Sequence, residues 1–310
     1  MNGMIEAAII GAPRSGTSTL FNQLDSHPEV QGSNPKETYF FMDAGHPLTD
    51  RQKRRGLPTF HTADLSAFGR FFEGPGNKIR LEATTHHYYQ NTARDVFSHF
   101  DPMTHIFFIL RQPAHRIRSS FLFTKHNRGY IDSGLTFNRY VDILLNGSLS
   151  SLDKYYHSNS SLYIAKRELK LSKYILWLRR WEESLDREHI HPIIFERFAG
   201  NTRRTLGRVC RVLNISPSDA EHSSSSKNET TLVRSPSLQK LAREIGTFIP
   251  DGWLKSEAKS LYERLQIRER SSTSASDTDY GVECLEDYFK PWNERLAQHS
   301  GLRLSQWDCS

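Results

Sequence analysis

IEAAIIGAPRSGTSTLFNQL, residues 5–24, decides how this chain is read. Ile5 to Ile10 form a short, almost wholly apolar run. A Gly/Pro/Ser turn follows, and then Leu20, Phe21 and Leu24 recur at helical spacing until His27-Pro28 stops them. This is strand, loop, helix. The loop keeps the G-x-x-x-x-G spacing of a nucleotide triphosphatase between Gly11 and Gly16, but Thr17-Ser18 stand where that loop carries Lys-Ser/Thr. Glycines at both ends let successive N–H groups converge on an anion at the positive end of the following helix, and Arg14 supplies a cation from within the loop. A phosphate-like group is therefore expected here, without the terminal phosphates and magnesium that the absent lysine would serve.

Working outward, IRLEATT (79–85), HIFFILR (105–111) and HPIIFERF (191–198) are further short β-rich runs, each followed by polar or helical sequence. Strands separated by helices predict a parallel sheet with ligand at the strands' carboxyl ends. Tyr174, Leu178, Trp181 and Leu185, spaced by four, three and four, predict an amphipathic helix over SKYILWLRRWEESL. Residues 45–78 and 127–170 are richer in Gly, Ser and polar side chains and read as insertions in one domain spanning 1–310. HSSSSKNETT and RSSTSASDTD read as loops.

A second anion motif stands in FFILRQPAHRIRSSF. Arg111 ends a strand, Pro113 opens a helix, and Ser119 follows Arg111 by eight residues. Arg116 and Arg118 lie on the same predicted helix and are read as positioning or solvating it.

Lys and Arg number 41 against 35 Asp and Glu, an excess of six that fits a polyanionic ligand as well as a solvated surface. The positive charges are scattered among acids, and no recognition-helix, zinc-finger or aromatic RNA-binding signature is evident, which argues against a nucleic-acid-binding module. The missing lysine argues against a triphosphate-dependent kinase. Three widely spaced cysteines, Cys210, Cys284 and Cys309, suit neither a disulfide framework nor a zinc site. No stretch approaches the roughly 18 apolar residues of a membrane helix. These features predict a soluble cytoplasmic protein without membrane or metal partners.

Together, GAPRSGTSTL and LRQPAHRIRSS resemble the two signature motifs of sulfotransferases that use 3′-phosphoadenosine 5′-phosphosulfate, in the branch of bacterial and heparan-sulfate-type enzymes. The resemblance implies a P-loop-like three-layer α/β fold, a mostly parallel central sheet flanked by helices, and no metal. It implies that Arg14, Ser15, Gly16, Thr17, Ser18 and Thr19 cradle the 5′-phosphosulfate, with Arg14 reaching toward the sulfuryl group. Arg111 and Ser119 would hold the 3′-phosphate. NPKETYFF (34–41) resembles the segment that carries the catalytic base, which makes Glu37 the base here. Residues 173–198 and 285–307 are similar to a helix-then-strand unit and to a C-terminal helix of the family. Arg234-Ser235, before a further amphipathic stretch, resembles a late loop that folds over the 3′-phosphate and adenine.

Two departures bear on the base. Glu82-Ala83-Thr84-Thr85 stands where those glycan enzymes often carry Glu-Lys-Thr-Pro, so a lysine near the transferred group is missing. Cytosolic members place a catalytic histidine near the same strand, where His86 and His87 stand here. The expected reaction is sulfuryl transfer to a hydroxyl, or an amino group, releasing adenosine 3′,5′-bisphosphate. His46, His61, Tyr130, Tyr155 and Tyr156 in the insertions suit a polar acceptor, either a small molecule such as a natural product of secondary metabolism or a glycan.

Overall fold

The computed structural model describes residues 5–54, 56–73, 78–100, 103–217 and 275–307. They divide into two compact units, one of residues 5–116, 170–217 and 289–307, the other of 117–169 and 275–288.

The first unit is built on five parallel strands: β1 (Ala7–Gly11), β2 (Val30–Gly32), β3 (Ile79–Glu82), β4 (His105–Leu110) and β5 (Ile190–Ile194), in the spatial order β2-β3-β1-β4-β5. β1 is central, with Ala7 opposite both Leu81 and His105. All five of its residues are buried, as a parallel strand covered on both faces requires, and this is why its sequence reads as a continuous apolar run. β2 has only three residues, too few for a period-two pattern to announce it. HPIIFERF splits into strand β5 and a helix, Phe195–Gly200.

Alternation along the strands assigns the layers. Ala7 and Ile9 of β1 and Phe107 and Ile109 of β4 form one core with Leu20, Phe21 and Leu24 of helix α1 (Thr17–Asp25) and with Val209 and Leu213 at the end of the helix Thr202–Val212. On the other face Phe108 stacks on Tyr88 with ring centroids 5.2 Å apart and meets Tyr174 edge-on at 5.8 Å. Tyr174 opens the helix Tyr174–Glu182, whose Trp181 donates its indole N–H to the Tyr88 carbonyl at 2.9 Å. Tyr174, Leu178, Trp181 and Leu185 are all buried, as their spacing predicts.

Residues 45–72 do more than decorate this unit. Phe60, Phe68 and Phe71 pack against Phe40 and Phe41 in one aromatic cluster, with Phe41 and Phe68 centroids 4.6 Å apart. Phe40 and Phe41 are fully buried, so they anchor the segment that precedes them, Lys36 to Tyr39.

In the second unit Phe121, on the helix Pro113–Leu122, packs on Phe137 and Tyr140 of the helix Phe137–Leu145, which Thr136 caps by accepting the Arg139 amide. Ile131 bridges Tyr156, and Ser120 donates to Glu168 at 2.8 Å. The C-terminal helix is longer than its sequence suggests and begins at Ala275, inside the stretch RSSTSASDTD read as loop.

Candidate active site

In a parallel sheet every connection leaves the same edge, so the loops after β1, β2, β3 and β4 emerge together. Strand order reverses beside β1, whose neighbours β3 and β4 follow it from opposite sides. Arg14 follows β1, Glu37 follows β2, His86 follows β3, and Arg111 follows β4. One sheet edge thus gathers residues far apart in sequence.

The β1 loop is shaped by its glycines. A Cβ on Gly11 would lie 2.6 Å from the Tyr88 ring and 2.9 Å from the Thr85 carbonyl oxygen, and one on Gly16 would lie 3.1 Å from the Phe195 ring. Gly16 caps α1 at φ 79°, and no side chain caps that helix, so its first N–H groups face the loop. Arg14 is left-handed at φ 66°, which turns the loop into a concavity of amides. Its carbonyl accepts from the Arg111 guanidinium at 2.9 Å, and Arg111 in turn lies over the Phe195 ring at 4.8 Å. The buried Ser15 Oγ has no hydrogen-bond partner among the described residues. An orphaned buried hydroxyl beside uncapped amides is a donor set for a phosphate or sulfate group, and the residues present fit that ligand.

Glu37 lies where three groups converge. Its Oε1 accepts from Thr85 Oγ1 at 2.8 Å and stands 3.8 Å from the Lys36 ammonium, and its Oε2 accepts from the Tyr39 hydroxyl. Burial by itself pushes this carboxyl up, but Lys36 and the two hydroxyls help to outweigh it, and the carboxyl is held below the ordinary range. Lys36 is desolvated and its pKa is lowered, although Glu37 and Glu82 oppose the shift. Tyr39 adopts φ 51°, which folds its phenol back two residues onto Glu37.

A buried clamp sets the position of Glu37. Glu82, at the end of β3, is fully buried and accepts from Thr38 N at 3.3 Å, Thr38 Oγ1 at 2.9 Å, Thr84 N at 2.9 Å and Thr84 Oγ1. Thr84 Oγ1 accepts from the Tyr39 amide at 2.9 Å. The two segments flanking Glu37 are thereby tied to β3. His87 Nδ1 lies 3.2 Å from Glu82, with the whole ring buried, so His87 belongs to the clamp and has no access to an acceptor. Ala83 faces the hydrophobic core, and the cation beside the base is Lys36 instead of a residue at position 83.

His86 is half-buried and remains at the site. Burial drives its pKa down to about 3 despite the attraction of Glu37. Its ring lies 6.5 Å from that of Tyr39, centroid to centroid.

The first unit therefore brings together the residues from Arg14 to Thr19, Glu37, His86 and Arg111. Ser119 sits half-buried on the helix Pro113–Leu122, within the second unit. Arg234 and Ser235 lie outside the described residues. Arg116 is fully buried and donates to Ser172 Oγ at 2.6 Å, so it fastens the helix that follows Arg111. Lys36, Tyr39, Thr85 and Tyr89 were not singled out by sequence reasoning. The signal available for the first two was adjacency to Glu37; Thr85 and Tyr89 carried none. No cluster of three metal-ligating side chains occurs among the described residues.

The chain is 23% identical over 324 aligned positions to human carbohydrate sulfotransferase 15, an alignment covering 94% of this chain and 52% of that protein. The rat protein of the same name gives the same identity and coverage. The chain thus spans about half the length of the curated relatives it matches. A sulfotransferase from Alicyclobacillus acidocaldarius superimposes with a TM-score of 0.56 at 19% identity, over 85% of this chain and 96% of that one, which is a likeness of fold. The sulfotransferase domain family matches residues 5–243, most of the sequence and every segment that builds the sheet edge described above, and the chain belongs to that family.

Proposed function

We propose that this protein transfers a sulfuryl group from 3′-phosphoadenosine 5′-phosphosulfate to a hydroxyl, or an amino group, of a polar acceptor, with Glu37 as the general base. The observation that carries the reading is Glu37 itself: a carboxylate kept ionised by Lys36, Tyr39 and Thr85 on the same sheet edge as an amide-lined loop. The phosphosulfate supplies the sulfuryl group and a phosphate leaving group.

Glu37 accepts the acceptor's proton. Its lowered pKa keeps it unprotonated at neutral pH, and the hydroxyls on both oxygens fix its direction. The amides from Ser15 to Ser18, the Ser15 hydroxyl and Arg14 meet the negative charge of the transferred and leaving groups, with Thr19 closing the first helical turn through its amide bond to the Gly16 carbonyl at 3.0 Å. A preorganised donor of this kind lowers the barrier by roughly 3–4 kcal/mol. Arg111 braces the loop through the Arg14 carbonyl and is assigned to the 3′-phosphate; Ser119, Arg234 and Ser235 are assigned to it by the resemblance to the family alone.

The acceptor is a polar small molecule or a glycan. The glycan reading is favoured by the relatives named carbohydrate sulfotransferase, and the histidine and tyrosine side chains around Glu37 suit either. A cytoplasmic location accompanies the proposal. Among the described residues no helix is long and apolar enough to cross a membrane.

Labelled phosphosulfate offered with a panel of sugars and hydroxylated small molecules tests the reading. Glu37→Gln keeps the side-chain shape, so turnover should fall by about 10²–10⁴ with little change in affinity for adenosine 3′,5′-bisphosphate. Retention of full turnover in this variant would refute Glu37 as base.

A further inference from the structure

A line of three side chains runs from the backbone of Leu48 to His86, and its hydrogen-bond polarity is set at the far end. The Leu48 amide donates to His46 Nδ1 at 3.2 Å. An amide N–H can only donate, so Nδ1 carries no proton and the ring hydrogen of His46 resides on Nε2. His46 is 5% exposed, and water does not offer it an alternative partner easily. Its Nε2–H meets the Tyr89 hydroxyl at 3.1 Å. A tyrosine hydroxyl has one hydrogen. Having accepted from His46, it has that hydrogen to give, and His86 Nδ1 stands 3.1 Å away as an acceptor for it. The neutral ring of His86 then has its proton on Nε2.

We propose that the Leu48 amide, through His46 and Tyr89, fixes His86 in the Nε2–H tautomer, so that His86 serves the site as a hydrogen-bond donor and not as a second base. The charged and titratable groups around His86 are Glu37, His46, Arg116 and His87; burial and the last three disfavour an imidazolium, and only Glu37 favours one. A neutral ring whose Nδ1 already accepts from Tyr89 has no basic nitrogen left. Its Nε2–H donates to an oxygen of the acceptor or of the transferred group, while Glu37 takes the proton. This assignment rests on the sulfotransferase reading for the identity of that oxygen, but not for the tautomer. Tyr89 and His46 are positioning residues that act through His86.

The test uses the whole chain labelled with 15N in its histidine rings and long-range 1H–15N correlation spectra at neutral pH, without any sulfuryl donor. The His86 signals are identified by their loss in His86→Asn. The wild-type protein should show His86 unprotonated at Nδ1 and protonated at Nε2. Tyr89→Phe keeps the ring that packs on Tyr88 at 4.9 Å and on Trp177 at 6.1 Å, and removes only the hydroxyl. In it the single-tautomer pattern of His86 should be lost, and kcat should fall about fivefold, the worth of one neutral hydrogen bond, with affinity for adenosine 3′,5′-bisphosphate unchanged. His46→Leu should produce the same spectral change. A proton on Nδ1 of wild-type His86, or unaltered His86 nitrogens in Tyr89→Phe, overturns the relay; altered nitrogens with unchanged kcat overturn the donor role. An intact relay in a protein that never transfers sulfate would count against the sulfotransferase reading alone.

Discussion

Glu82→Gln is the sharpest test of how Glu37 is held. The glutamate takes hydrogen bonds from two amides and two hydroxyls with no exposure to solvent. If the carboxamide oxygen stays on the Thr38 side, its NH₂ faces the Thr84 amide, and two donors confront each other. That contact loses a charge-assisted bond worth about 1.5–3 kcal/mol. The three remaining bonds fall from charged to neutral, at roughly 0.5–1 kcal/mol each. The total, about 3–6 kcal/mol, is of the size of the cost of breaking a buried ion pair. Urea denaturation at neutral pH should show this loss as a lower midpoint with an unchanged slope. Affinity for adenosine 3′,5′-bisphosphate should change little in the surviving folded protein, because the clamp ties segments 38–39 and 84 and leaves the β1 loop alone. The sign of the pH dependence follows from the carboxyl. Burial would raise its pKa, but His87 and the Thr84 donors lower it on balance. Its contribution is therefore present above the ordinary carboxylate range and is lost as pH falls through the depressed value. Wild type and Glu82→Gln should converge in stability on acidification. A loss below about 1 kcal/mol at neutral pH, or a gap that widens in acid, would refute the clamp.

Lys36→Met removes the cation 3.8 Å from Glu37, an attraction between about 1 kcal/mol in water and about 4 kcal/mol at an effective dielectric of 20; the acidic limb of the kcat/KM profile should move upward, and Lys36→Arg should move it back. Tyr39→Phe and Thr85→Val each delete a hydroxyl donor to the carboxylate, and each should lower kcat by about 10–100-fold with the same upward displacement of that limb. Arg111→Ala unfastens the β1 loop as well as removing a phosphate ligand, so calorimetry should record weaker binding of AMP together with a larger loss for adenosine 3′,5′-bisphosphate; unchanged AMP binding would sink the bracing role.

The sequence determined the frame. An apolar run, a glycine-bounded loop and a helical period are local features, so β1, the anion loop and α1 could be read directly, and the short β-rich runs at 105–111 and 191–198 marked two further strands. Two signature motifs pointed to the family because each is contiguous in the chain, and the family model over residues 5–243 bears that out. Short-range statistics did not reach β2, whose three residues carry no period, or the aromatic role of residues 60–71, whose partners Phe40 and Phe41 lie about twenty to thirty positions earlier. His86 and His87 show the limit most clearly. They are adjacent and chemically identical in sequence, yet the turn after β3 buries one against Glu82 and leaves the other beside Glu37. Their surroundings are set by groups about 40 to 50 positions earlier, Thr38 bonded to Glu82 beside His87 and His46 bonded to Tyr89 beside His86, and only folding brings those groups within hydrogen-bond reach. Residue types determine which chemistry is available to the chain, while desolvation and the direction of each donor, both properties of the tertiary structure, decide which of the two histidines is sealed against Glu82 and which stays beside Glu37.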